Sequence, residues 1–89
     1  MAEITVSPIE PDRFHVTVRE GDSSTKHDVT LSTVDFERLG AGRSSPESFV
    51  RACFEFLLER EPKESILRSF DVPVIGRYFP EFEGAIGRY

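Results

Sequence analysis

SPESFVRACFEFLLER, residues 45–60, decides the fold. Ser45 is a good N-cap, Pro46 suits the first helical position, and Glu47 sits where the helix dipole favours an acid, so a helix start is clearly marked. Turned through about 100° per residue, Phe49, Val50, Ala52, Cys53, Phe54, Phe56, Leu57 and Leu58 sweep more than half the circumference. Only Ser48, Arg51, Glu55 and Glu59 share a narrow polar strip. A helix this apolar must be covered on two or three sides, which makes it the spine of a small domain.

Upstream, EITVSPI (residues 3–9) places Ile4 and Val6 on one face and reads as a short strand, with Pro8 marking it as an edge. Residues 13–20 alternate more cleanly, with Phe14, Val16 and Val18 on one side and His15, Thr17 and Arg19 on the other. A turn at Gly21-Asp22-Ser23-Ser24 returns the chain along Lys26 to Leu31, where His27, Val29 and Leu31 share a face. For both apolar faces to meet one core, even-numbered residues of the first strand must oppose odd-numbered residues of the second. Setting Val18 against Val29 and Val16 against Leu31 satisfies this, and it points His15 outward and His27 inward.

Ser32 caps a short helix, Thr33 to Leu39, with Val34, Phe36 and Leu39 as its core residues and Gly40 as a left-handed stop. The loop 40–44 leads into the spine helix, which Pro62 ends near Glu61. Pro62 in turn opens an expected helix Lys63 to Phe70, with Ile66, Leu67 and Phe70 inward. Asp71 then caps a last helix, Val72 to Phe79, stopped by Pro80. The glycine-containing end predicts a frayed tail at 84–89 behind a single domain spanning residues 1–83, although Phe82 and Ile86 can still dock. Strands first and helices after predict an α+β fold: a small antiparallel β-meander of two to three strands packed on a central helix with short flanking helices.

Eighty-nine residues allow one core that buries about 60–65% of the unfolded surface. No apolar run is long enough for a membrane span or a signal-peptide core, and MAEITVSPIE lacks a basic start. One cysteine, Cys53, cannot form an internal disulfide, which points to a reducing cytoplasm. Sixteen acids against eleven bases give a net charge of −5, which argues against nucleic acid or an anionic membrane as a partner.

No catalytic, metal or cofactor motif is present. The two histidines fall on opposite faces of the hairpin with no metal-ligand spacing, and Cys53 sits among aromatic residues where a thiol is inert. Gly42, Arg43, Ser44 and Ser45 form the most site-like stretch, because free N–H groups at a helix start attract anions. It lacks the ending of a nucleotide-binding P-loop, so anion or nucleotide binding stands as an alternative function. SILRSFDVPVIGRY (65–78) resembles helix, turn and helix with Arg68 and Arg77 available, which makes a DNA-binding regulator another alternative. Pro73, Val74 and Ile75 are apolar where bases are read, and the turn-to-Arg-Tyr spacing is short for that motif.

The hairpin FHVTVRE with the helix start SPESFVRA resembles the HicB-like antitoxin domains, in which a curved sheet precedes a helix opened by Ser/Thr-x-Glu; that resemblance implies an antitoxin-like regulator. LLEREPKESILRSFDVPVIGRYFPEFE (57–83) is similar to the C-terminal half of small uncharacterised bacterial proteins and implies no activity.

Of ten aromatic residues, Phe70, Tyr78, Phe79, Phe82 and Tyr89 lie in the last twenty positions, a surplus that suits either cover for the spine or an exposed patch. Tyr78, Phe79 and Phe82 are the candidate partner-binding residues, with Tyr78 and Phe82 expected at the surface. The function expected on these grounds is a small, non-catalytic, cytoplasmic protein-interaction or regulatory module that meets an unidentified protein partner or forms a homodimer.

Overall fold

A computed structural model describes residues 2–40 and 42–89. The chain is α+β, with strands β1 (Glu3–Glu10), β2 (Arg13–Glu20) and β3 (Ser23–Thr30) followed by helices α1 (Thr33–Leu39) and α2 (Pro46–Leu58). A 3-10 turn at Lys63–Ser65 leads to β4 (Ser69–Asp71). A second at Val72–Val74 leads to α3 (Ile75–Tyr78), then α4 (Phe82–Ala85) and a last 3-10 turn at Ile86–Arg88. The strands form one four-stranded sheet in the order β1-β2-β3-β4, antiparallel except that β4 runs parallel to β3. The two or three strands expected from the sequence are therefore four, and the sheet is mixed.

The fourth strand replaces part of the expected helix at 63–70. Pairing of β2 satisfies one edge of β3 but leaves the backbone groups of the other without partners, and such groups are costly beside a core. The chain after α2 supplies them: the Asp28 N–H donates to the Arg68 carbonyl at 2.7 Å, Thr30 Oγ1 donates to Asp71 Oδ1 at 2.7 Å, and β4 aligns Val29 with Phe70. Asp71 is thus a strand residue whose carboxylate binds the neighbouring strand and caps no helix. A parallel return needs a long crossover, which α1 and α2 provide.

In the β2–β3 hairpin, Val29 lies opposite Phe14 and His27 opposite Val16, a slip of four residues along β2 from the expected pairing. Parity is kept, so the inward and outward faces are as expected. The slip closes the hairpin on the two-residue turn Gly21-Asp22, the tighter and favoured connection. Leu31 passes beyond the strand end, bonds the Asp12 carbonyl through its N–H and remains buried. β1 is an edge strand, its ladder shifting in register between Pro8 and Glu10, where Pro8 brings no donor.

Ser45 caps α2 by accepting from the Ser48 N–H, and seven side chains of the helix are buried. Phe54 meets the rings of His27 and Phe70 on the sheet side, Phe49 meets Phe36 of α1, and Phe56 meets Phe79, Phe82 and Tyr89. The helix is covered from three directions, as its wide apolar arc requires.

Helix α1 has its expected bounds and its Ser32 cap, but Val34 is 70% exposed and only Leu39 is fully buried. Gly40 is right-handed; the left-handed residue of this connection is Gly42 at φ 81°. Residues 84–89, expected to fray, carry the end of α4 and a 3-10 turn, with Ala85 and Ile86 buried.

Candidate functional site

The polar side chains of the domain mostly find partners inside it. Arg60, two residues beyond the end of α2, lies 3.7 Å over the Phe56 ring, donates to Glu81 at 3.0 Å and to the Tyr89 hydroxyl at 3.2 Å, and so clamps the C-terminal segment to the spine. The Tyr89 hydroxyl continues to Glu59 at 2.6 Å. Lys63 is buried and pairs with Glu64 at 2.7 Å and Glu20 at 3.3 Å, pinning the turn after α2 to the hairpin end. The Glu64 carboxylate holds the Lys63 ammonium above its ordinary pKa. Arg51 on α2 donates to the Ile4 carbonyl of the edge strand.

Glu61 differs from these. Its carboxylate belongs to no ion pair among the described residues, and burial alone pushes its pKa up. It stands at an open cavity of about 150 Å³ between the end of α2, the segment 65–70 and α3, with walls that include Leu57, Ile66, Phe70 and Val74. Pro62 creates this space by ending the helix, and β4 then carries the chain away along β3, so no helix follows to fill it. Leu67 and Tyr78 flank the opening at 46% and 65% exposure.

His27 fixes one wall. It is buried; its Nδ1–H donates to the Leu67 carbonyl at 2.8 Å, and its Nε2 lies 2.8 Å from Thr25 Oγ1, whose hydroxyl donates to the ring when the ring is neutral. Desolvation lowers its pKa and outweighs the Leu67 hydrogen bond, which favours the protonated ring; the nearby Arg68 guanidinium adds to the lowering. Leu67 is thereby held at the opening through its backbone, leaving its side chain to solvent.

The candidate partner-binding residues separate. Tyr78 and Phe79 both line the cavity, Phe79 also packing edge-on against Phe56 at 6.0 Å. Phe82 is not a surface residue: it is 1% exposed and packs edge-on against Phe56 at 5.2 Å, because α4 folds back on the spine instead of trailing away. Of the candidate anion site, Arg43 donates to the Ile86 carbonyl at 3.1 Å and Ser45 is occupied as the α2 cap, while Gly42 and Ser44 are exposed. The loop is a tie to the C-terminal turn, with its cation directed at backbone.

Residues 65–79 do not form helix, turn and helix; they run as the end of a 3-10 turn, a strand and one short helical stretch. Cys53 is buried, and burial pushes its thiol well above the ordinary range. His15 faces the outer side of the sheet beside Asp28 at 3.3 Å, away from His27. Among the described residues no group of three or more His, Cys, Asp or Glu side chains could hold a metal ion, and no helix is long and apolar enough to cross a membrane.

Of the residues singled out in the sequence, Tyr78 and Phe79 line this groove and Phe82 does not; Glu61 and Leu67, which line it too, were not singled out. The position of Glu61 directly before a helix-ending proline is its one sequence signal; Leu67 lay hidden in a helical pattern that a strand replaced. No protein-family model, curated protein or solved structure matches the chain.

Proposed function

We propose that the chain is a small, non-catalytic protein-interaction module that docks a partner at the groove between α2, residues 65–70 and α3. The supporting observation is the groove itself: about 150 Å³, walled by Leu57, Ile66, Phe70 and Val74, opening beside two exposed apolar side chains and one unpaired carboxylate. Pockets for cofactors and metabolites generally run to about 300 Å³ or more, whereas this space suits a single large apolar side chain. Beside Glu61 the lining carries, among the described residues, only the hydroxyls of Ser65 and Tyr78, with no histidine, lysine or second acid to pair with the carboxylate in general acid–base chemistry. Protein interfaces are commonly anchored by one aromatic or aliphatic residue seated in such a pocket. A single, buried cysteine suits work in a reducing cytoplasm.

A short peptide carrying one phenylalanine beside an arginine tests the reading. Followed by amide chemical shifts, the titration is expected to move Leu67, Phe70, Val74 and Tyr78 and to leave the outer sheet face still. A groove unmoved both by the peptide and by raising the protein's own concentration overturns it.

A further inference from the structure

The groove surface carries both halves of a contact. Tyr78 offers an exposed ring at the opening, and the cavity behind it has the volume of about one ring. Glu61 offers a negative charge, and neither it nor Arg77, the residue before Tyr78 on α3, belongs to an ion pair among the described residues. A two-fold axis pairs residue i with j and j with i, so a surface bearing a knob, a hole and opposite charges complements itself.

We propose that the occupant of the groove is a second copy of this chain, each copy placing Tyr78 in the other's groove with Arg77 of each facing Glu61 of the other. The inference rests on the docking reading above and names its partner. Seating the ring removes apolar surface from water at Tyr78 and Leu67, and a guanidinium beside Glu61 offsets the desolvation its carboxylate meets. With one ring per groove the contact is small, and each copy carries a net charge of −5, so association belongs in the micromolar-to-millimolar range.

Sedimentation equilibrium on the full chain, with far-UV circular dichroism as a check of folding, supplies the test. The wild-type chain is expected to pass from monomer to dimer as concentration rises. Glu61→Arg and Arg77→Glu alone each weaken self-association by about tenfold or more, since each sets two like-charge contacts in the symmetric dimer. Mixed in equal amounts, the two variants recover association as a heterodimer, because both crossed pairs become opposite in sign; the double variant recovers it as a homodimer. Tyr78→Ala abolishes it without loss of fold.

A wild-type chain that stays monomeric at millimolar concentration overturns the proposal, as do single reversals that associate like the wild type or a mixture that fails to recover. If the monomeric chain still moves its groove amides with the phenylalanine–arginine peptide, the docking reading stands and only the second copy is discarded.

Discussion

His27 is the residue on which the groove wall turns. It is buried beside Phe54, joined to Thr25 and Leu67, and its folded-state pKa lies below the ordinary value of 6.5. The unfolded chain therefore binds a proton first as pH falls. The stability that comes from keeping His27 neutral is fully present above pH 6.5 and is lost progressively below it. Urea unfolding should show stability declining by up to about 1.4 kcal/mol per pH unit below that point, and His27→Gln should remove this part of the slope whatever it does to absolute stability. An unchanged slope in the variant contradicts the assignment. Cys53 gives a second check at this scale, since a thiol buried in the spine and shifted upward reacts only when the domain opens. Labelling by a disulfide reagent is expected to run at the global unfolding rate; rapid labelling of the native chain would show that α2 is not covered as described.

Among the elements, the C-terminal segment separates burial from display. Phe82 lies under α4 against Phe56 while Tyr78 stands in solvent. Replacing Phe82 by alanine should cost about 3–5 kcal/mol, much of what a domain this size has, whereas Tyr78→Ala should cost under about 0.5 kcal/mol. Equal effects on thermal unfolding would mean that one of the two is misplaced. Gly40 offers a similar contrast at the end of α1: a Cβ there would lie 2.5 Å from the Phe36 carbonyl oxygen and 2.8 Å from its ring. Gly40→Ala should therefore destabilise by about 1–3 kcal/mol through overpacking, although the backbone there is right-handed.

These elements also show how far the sequence could be read. The α2 helix, its cap and its wide apolar arc were legible because cap chemistry and periodicity are local. The strands β2 and β3 and the inward turn of His27 were legible from alternation along each strand, which a slip of four residues in register leaves unchanged. β4 was not, because Ile66, Leu67 and Phe70 fit a helical face, and only the open edge of β3, about forty residues earlier, makes a strand the better solution. Fraying at the C-terminus was misread for a related reason: Gly84 and Gly87 loosen the chain locally, while Arg60 and Phe56 hold it from a distance. Glu61 and Leu67 meet at one groove only once β4 has formed, which no local pattern in the sequence shows.

At the scale of the whole molecule, the sheet presents one polar face to water and one apolar face to α2. Two of the four exposed large apolar side chains among the described residues, Leu67 and Tyr78, stand together at the groove, while Ile9 and Val34 lie apart from it. Glu61 is a poor residue for stability there, since burial favours its protonated form and so works against the folded state as pH rises past the carboxylate range. Glu61→Gln should raise the unfolding free energy of dilute, monomeric protein at neutral pH by up to about 0.5 kcal/mol, read as a higher urea midpoint at unchanged slope, while weakening association. A midpoint that falls would mean that Glu61 serves the fold and not the contact. The most direct measurement is an isotope-filtered nuclear Overhauser experiment on an equal mixture of labelled and unlabelled chains at high concentration. Intermolecular contacts are expected from the Tyr78 ring to the methyl groups of Leu57, Ile66 and Val74. Intermolecular contacts confined to another surface, or none at all, would contradict it.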